Sequence, residues 1–395
     1  MFNDKEIRFV TTESVTEGHP DKLADQISDK ILDEIMKQDQ QARVACETYV
    51  THGLIIIGGE ITTKAWIDIS EIARSTVKDV GYISPRYGFD YHTCAVLNAV
   101  GRQSPDIAQG VDTGGAGDQG VMYGYATNET NEFMPLPIVL AHKLTMQLAK
   151  VRKSSEPKDV GPYLGPDGKA QITLKYEGNK AVEVTDVVIS TQHTEELLDK
   201  NDPSHMSEES RQRIVDAVVL PIIPDYLITD KTRFHINPTG RFVVGGPQSD
   251  TGMTGRKLEV DTYGGMAPHG GGAFSGKDPT KVDRSATYMM RYLAKNVVAA
   301  GLADECLIQA AYIIGEAQPV SFAVNTFGSG KVKDESIEKA LLELVDLSPR
   351  GIIKRLDLLK PIYQKTASYG HFGRNEPEFT WERTDLVEEL HKKLG

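Results

Sequence analysis

The chain has 395 residues, 39% hydrophobic and 25% charged, with a formal net charge of −12 at neutral pH. That length suits about two to three domains with substantial cores, and the composition excludes a disordered or fibrous chain. The acidity argues against general nucleic-acid binding, which needs an excess of basic surface.

No apolar run approaches the ~20 residues of a membrane span, and the start MFNDKEIRFV lacks a signal-peptide core, so a soluble cytoplasmic protein is expected. Cys46, Cys94 and Cys306 stand far apart with no CxxC spacing, and the histidines show no HExxH pattern. Buried thiols in a reducing compartment, and no transition-metal site, are the expectations.

In chain order, the first third predicts an amphipathic helix from about Asp21 to Lys37, with Leu23, Ile27, Ile31 and Ile35 on one face. Strands follow in ARVACETYV and LIIIGGEIT around a turn at Thr51-His52-Gly53, then a helix near Ile69 to Val80 and an apolar run near Cys94 to Val100. The second third predicts a helix after Pro137, strands QITLKYEG and AVEVTDVVIST, a helix near Ser207 to Val219 and a strand near Arg233 to Ile236. The last third predicts a helix from Pro279 to Ala300, strands CLIQAAYIIG and VSFAVNTFG, and a helix near Glu335 to Val345. Helix, hairpin, helix in each third suggests an α+β protein of three similar two-layer domains, with a pseudo-threefold internal repeat and mixed sheets covered on one face by helices.

Two glycine-rich segments, Gly101 to Gly120 and Gly240 to Gly276, interrupt this order and are longer than ordinary connections, as binding loops or lids are. The stretch HGGGAFSGKDPTKVD, residues 269–283, nearly spells a phosphate-binding P-loop, but Asp278 replaces the final hydroxyl. The strand before it is also missing, since the nearest, KLEVDTY, ends too early. Asp278 is expected to cap the following helix and Pro279 to take its first position. Lys277 and Lys281 then crowd a positive helix end, which favours a non-Walker phosphate site over a solvated helix start. Asp283 could hold a magnesium ion there. A second helix start, in SVTEGHPDKLAD, gathers His19, Asp21 and Lys22 around Pro20, where simple capping is the equal alternative.

The strings TESVTEGHPDKLADQISD, GGEITT, GRQSPDI, GAGDQG, NPTGRFVVGGP, DTYGGMAPHGGGAFSGKDPTKVDRSA and YGHFGR together resemble the S-adenosylmethionine synthetases, from about Val10 to Trp381. The resemblance implies three similar domains, expected over 4–105, 114–242 and 244–381, and a homotetramer made of two dimers with active sites between subunits. It implies that ATP and L-methionine are joined, and that the displaced tripolyphosphate is cleaved to phosphate and diphosphate. Magnesium, two ions per site, and potassium are the implied ions.

Residue by residue, the resemblance makes His19 the histidine beside the leaving group, where a partly positive imidazole would stabilise the departing oxygen. Lys277, Arg256 and Lys257 match phosphate contacts, and Asp167, Lys169, Arg241, Phe242 and Ala273 match nucleotide contacts. Asp250 matches a substrate-binding aspartate, and Glu60, Gln103 and Lys281 match the methionine site. Asp21 and Asp283 match magnesium ligands, Glu47 the potassium ligand, and Asp118 lies in the family's GAGDQG string. The thioether nucleophile carries no proton, so no general base is needed, and no Ser-His or Cys-His arrangement is found. Charge growing on the leaving triphosphate calls for preorganised cations. Between QSPDI and GAGDQG the chain has only AQGVDTG, shorter than is usual for the family's lid, so altered lid kinetics with unchanged chemistry are expected.

Overall fold

The computed structural model describes residues 7–102, 114–154 and 160–395. The first third runs β1 (Ile7–Val15), α1 (Pro20–Met36), β2 (Arg43–Thr51), β3 (Leu54–Thr62), α2 (Ile69–Val80) and β4 (Ala95–Gly101). The second runs β5 (Gly120–Thr127), α3 (Leu136–Arg152), β6 (Leu164–Glu177), β7 (Lys180–His193), α4 (Glu208–Ile214) and β8 (Arg233–Ile236). The third holds β9 (Gly252–Met253), α5 (Leu258–Asp261), α6 (Val282–Ala299), β10 (Glu305–Tyr312), β11 (Ser321–Asn325), α7 (Asp334–Leu344), α8 (Pro349–Leu356) and α9 (Val387–Leu394). The architecture is α+β with mixed sheets, and all three cysteines are free and buried.

Each hairpin anticipated from alternating apolar residues forms within a sheet, central in the two four-stranded sheets and with β11 at the edge of the third, but no sheet is built from one third alone. The strand orders are β4-β3-β2-β9, β1-β6-β7-β8 and β11-β10-β5. Thus β9, β1 and β5 each join the hairpin of a different third, always antiparallel. The exchanged strands carry no period that names their partners, so the sequence could not show this. Helix α1 lies against β2 and β9, α3 against β1 and β6, and α6 against β5 and β10. One apolar core is continuous from the α1 layer to the α6 layer, and a second surrounds β6 and β7.

The expected face of α1 is fully buried: Leu23, Ile27, Ile31 and Ile35 have no exposed area. Each such side chain contributes about 1.5–3 kcal/mol by leaving water. A second stripe of the same helix was not anticipated. Asp21, Asp25, Asp29 and Asp33 recur every fourth residue and therefore stack along one side. They accept backbone N–H bonds from Met253 (3.0 Å), Gly255 (2.9 Å), Gly276 (2.8 Å), and Tyr363 and Gln364 (both 2.9 Å). All these donors belong to the last third. Arg284 of α6 adds a bidentate pair with Asp29 at 2.7 and 2.9 Å. Helix α1 is thus a spine on which the last third's loops are hung.

Three local expectations fail. KLEVDTY is not a strand, since Leu258–Asp261 forms a helical turn, Asp261 N–H bonding to the Lys257 carbonyl and Gly264 closing it at φ 65°. Neither does α6 begin at Pro279 under an Asp278 cap. Asp278 instead accepts the Val44 amide at 2.7 Å and the Thr280 amide at 2.9 Å, so the helix starts at Val282 with Lys281 at its N-cap. Finally, the helix expected to Val219 is α-helical only to Ile214 and widens into a π-turn over Val215–Val219.

Candidate functional site

Two clusters of charge stand out, one at the opening of α1 and one before α6. At α1, His19 is the N-cap and Pro20 the first helical residue, as the sequence predicts. The His19 ring accepts the Asp21 amide at Nδ1 (3.1 Å), which leaves the proton on Nε2. Burial, with Lys257 and Lys169 nearby, lowers its pKa to about 3. The ring is therefore neutral at ordinary pH, not partly positive, and acts as an N–H donor.

Asp21 is buried beside it, with Oδ1 on the Met253 amide and Oδ2 on Lys257 Nζ at 2.6 Å, while Arg256 Nε lies 3.7 Å from Oδ1. Burial works against this carboxylate, but Lys257 and the Met253 amide win and hold it below its ordinary value. Strand β9 reaches this point only because residue 252 is glycine, since a Cβ there would lie 2.1 Å from the Pro20 carbonyl.

The nucleotide candidates of the central third approach from the other side. Gly18 lies against Pro166, where a Cβ would meet the carbonyl oxygen at 2.2 Å, and Thr16 Oγ1 donates to that oxygen at 2.7 Å. This brings residues 166–169 beside His19. Asp167 is buried; Oδ2 accepts the Gly246 amide at 2.9 Å, and Oδ1 has no partner among the described residues. Burial pushes this acid up to about 6, against the Gly246 amide and Lys169. An orphaned buried oxygen is costly unless something is meant to donate to it.

Lys169 and Asp250 are exposed nearby, and Asp250 N–H bonds back to Gly246 at 3.1 Å. Phe242 is half-buried, its carbonyl accepting the His193 amide and its own amide donating to the His193 ring at Nε2, whereas Arg241 points outward to pair with Glu195. Tyr82, not anticipated from sequence, braces the group by donating to the Gly18 carbonyl at 2.6 Å.

The glycine loop answers its own question by its hydrogen bonds. Gly276–Asp278 lies as an extended segment along the edge of β2, with Cys46 N–H on the Gly276 carbonyl, Asp278 N–H on the Val44 carbonyl, and Lys277 opposite Ala45. The Gly276 amide is taken by Asp29. With the amides of Gly276, Lys277 and Asp278 engaged inside the protein, these three residues form no anion nest, and what they offer a phosphate is the Lys277 side chain. Lys277 pairs with Asp283 at 2.5 Å, and Lys281 with Asp278 at 2.8 Å.

Asp283 Oδ1 faces Gly120 and Gly272, and a Cβ at 272 would lie 2.5 Å from that oxygen. Asp118, exposed, precedes Gly120 by two residues. Ala273 packs against Gly255, which links this cluster to the Arg256–Lys257 turn. Among the described residues, no hydrogen bond or ion pair joins the side chains of one cluster to those of the other.

Register brings the methionine candidates to the second cluster. Gly101, Glu60, Ala45 and Lys277 lie in one row across four neighbouring segments. Paired residues share a face, which puts Glu60 and Lys277 on the side away from α1, about 10 Å apart by strand spacing. Glu60 is exposed, as is Glu47 opposite Gly58 on the same face. Gln103 and the short segment expected as a lid, at 103–113, lie outside the described residues.

Among the described residues, no group of three or more His, Cys, Asp or Glu side chains is placed to hold a metal by itself. Lone hard carboxylates such as Asp21 and Asp283 do fit a divalent cation that keeps its waters and takes phosphate oxygens as ligands. Glu47 alone does not make a potassium site within one chain.

Three protein-family models match the chain in order. They are the S-adenosylmethionine synthetase N-terminal domain at residues 7–105, the central domain at 113–242 and the C-terminal domain at 244–383.

Proposed function

The chain belongs to the S-adenosylmethionine synthetase family and has methionine adenosyltransferase activity, and from that premise we propose how its own residues perform the reaction. The methionine sulfur attacks the ribose 5′-carbon of ATP, the carbon–oxygen bond breaks, and a sulfonium and a triphosphate result. The sulfur has no proton to lose, so residues serve to bind, orient and stabilise the leaving charge.

His19 donates from Nε2 to the departing oxygen. Arg256, Lys257 and Lys169 receive the triphosphate at the α1 opening, joined by Lys277, while Lys281 and Asp118 line the α6 side. Asp167 Oδ1 accepts from a donor group of the nucleotide, with Arg241, Phe242 and Ala273 around it. Glu60 and Asp250 meet the methionine ammonium, and Lys281 and Gln103 its carboxylate. The observation that carries this reading is the gathering of Lys257, Arg256 and Lys169 round a buried, neutral histidine at a helix N-terminus. A helix opening with that field suits a polyanion.

Magnesium bound at Asp21 and Asp283 would neutralise phosphate charge, with Lys257 and Lys277 free to turn from carboxylate to phosphate. For potassium, Glu47 would need oxygen ligands from outside its own strand. The separation of the two clusters, and the exposed Leu97 beside the half-buried Ile56 on the sheet face that carries Glu60 and Glu47, support a dimer in which each site combines clusters from two copies. A dimer of such dimers gives the homotetramer. The recurring plan of exchanged strand, hairpin and covering helix supports a pseudo-threefold repeat, with domains over 4–105, 114–242 and 244–381. No helix among the described residues is long and apolar enough to cross a membrane.

Incubation of the pure protein with ATP, methionine, magnesium and potassium yields S-adenosylmethionine with equal phosphate and diphosphate. ADP as the sole nucleotide product would refute the reading.

A further inference from the structure

The charges nearest the α1 opening are supported from beneath by three residues that the reaction does not use. Lys22 has no exposed surface, and its Nζ lies between Asp25 Oδ2 (2.8 Å) of its own helix and Asp261 Oδ1 of α5. Asp25 Oδ1 also accepts the Gly255 amide at 2.9 Å, and the Asp261 amide bonds to the Lys257 carbonyl at 2.8 Å. Residues 255 and 261 are therefore both tied to α1, and Arg256 and Lys257 lie on the short stretch between the ties. Gly255 itself is held at φ 79°, with Ala273 so near that a Cβ would sit 2.5 Å from its methyl carbon. A buried lysine with two buried carboxylates is a poor way to gain stability but a good way to fix one geometry, because every departure leaves a charge unpaired.

We propose that the Lys22–Asp25–Asp261 knot is the positioning device of the leaving-group site, clamping both ends of residues 255–261 onto α1 so that Arg256 and Lys257 stand beside Asp21 before substrate binds. It rests on the reading of Arg256 and Lys257 as phosphate contacts. None of the three touches substrate; they act through the backbone of the turn. Asp33, about two turns further along the same stripe, accepts two amides far along the chain from this turn and serves as a matched control.

The test compares Asp25→Ala with Asp33→Ala in the full-length protein, measuring kcat, the methionine KM, binding of inorganic tripolyphosphate, and melting temperature. A displacement of the turn by about 1 Å is expected to lower kcat about 100-fold in Asp25→Ala. Tripolyphosphate binding weakens in step and the methionine KM stays within about twofold, since Glu60 and Lys281 of that site lie with the other cluster and Asp250 lies outside the clamped residues 255–261. Asp33→Ala melts earlier but keeps its kcat. Gly255→Ala, which strains the same turn from its outer side, reproduces the kinetic pattern with Asp25 intact, and it decides the matter if Asp25→Ala does not fold.

Equal loss of kcat in Asp25→Ala and Asp33→Ala, or normal turnover in Gly255→Ala, overturns the proposal. Lys257→Ala separates the two levels. If it binds tripolyphosphate as the parent does, the phosphate reading and the clamp's purpose fall together. If it loses that binding while Asp25→Ala and Gly255→Ala keep it, only the clamp falls.

Discussion

The opening of α1 and the start of α6 both gather lysines and aspartates yet rest in different electrical states. At α1, Asp21 faces both Lys257 and Arg256, with Lys169 close enough to depress His19. At α6, Lys277 has Asp283 and Lys281 has Asp278, one acid to one base. The first therefore carries a surplus of positive charge at rest, Arg256 and Lys169 beside the Asp21–Lys257 pair, and the second presents positive charge only when a carboxylate is drawn away. The backbone sets this difference. Asp278 is fixed by the Val44 amide, so Lys281 has a partner that cannot leave, whereas Asp283 keeps an oxygen toward two glycines. A helix start rich in lysine is thus not one kind of site but two, a standing receptor and one that must be opened.

The largest effects that test this contrast come from removing one lysine of each kind. Lys277→Ala is expected to lower kcat by about 100- to 1000-fold, as loss of one preorganised donor costs ~3–4 kcal/mol, with the methionine KM little changed. Its melting temperature should stay near that of the parent, because Asp283 is partly open to water. Lys257→Ala should show a similar kinetic loss together with a stability loss of about 2–3 kcal/mol, since Asp21 is left buried with the Met253 amide as its main partner. Turnover and thermal unfolding of the two variants decide it. Equal melting temperatures would break the distinction.

Between these and the smallest effect stands the pH dependence of His19. In the unfolded chain the imidazole binds its proton near 6.5, and in the folded chain only at about 3. Between those values the unfolded state holds the extra proton, so stability is complete above roughly pH 6.5 and declines as the pH falls toward 3. His142 follows the same course, so the loss is shared. Replacing His19 with Asn keeps a side-chain acceptor at the N-cap and removes one titrating ring. The melting temperature should then fall less steeply with acid, by the contribution of one proton. An unchanged slope would mean that the ring is not held neutral in the folded protein.

What could be read in advance follows from which forces leave a periodic trace. The apolar face of α1, the β2–β3 and β10–β11 hairpins and the whole of α2 were legible because burial recurs at fixed intervals. The start of α6 was misplaced because Asp278-Pro279 looks like a cap and first turn, and only the approach of β2 shows that the carboxylate is engaged elsewhere. KLEVDTY alternates as a strand does but is too short, and too close to Gly264-Gly265, to find an edge. The aspartate stripe of α1 was visible as a four-residue spacing, yet its partners are backbone amides, which have no letter of their own. The site's residue types were likewise on the page. Their division into two clusters, and the neutrality of His19, depend on contacts between thirds of the chain.

The smallest expected effect gives the finest test of the contrast, because it reverses sign with the metal. Asp283→Asn removes the negative partner of Lys277 and one hard oxygen ligand together. Without magnesium, the freed lysine should bind inorganic tripolyphosphate several-fold more tightly than the parent, a gain of about 1 kcal/mol. With magnesium present, the concentration needed for half-maximal turnover should rise about ten-fold or more, because a carboxylate has been withdrawn from the ion. Titration calorimetry with and without magnesium measures the first effect, and initial rates across a magnesium series the second. The same change at Asp21 would give no such gain, since Lys257 and Arg256 already stand in excess there. If Asp283→Asn bound metal-free tripolyphosphate no better than the parent, Lys277 would not be held in reserve by its ion pair, and the second opening would be a standing receptor like the first.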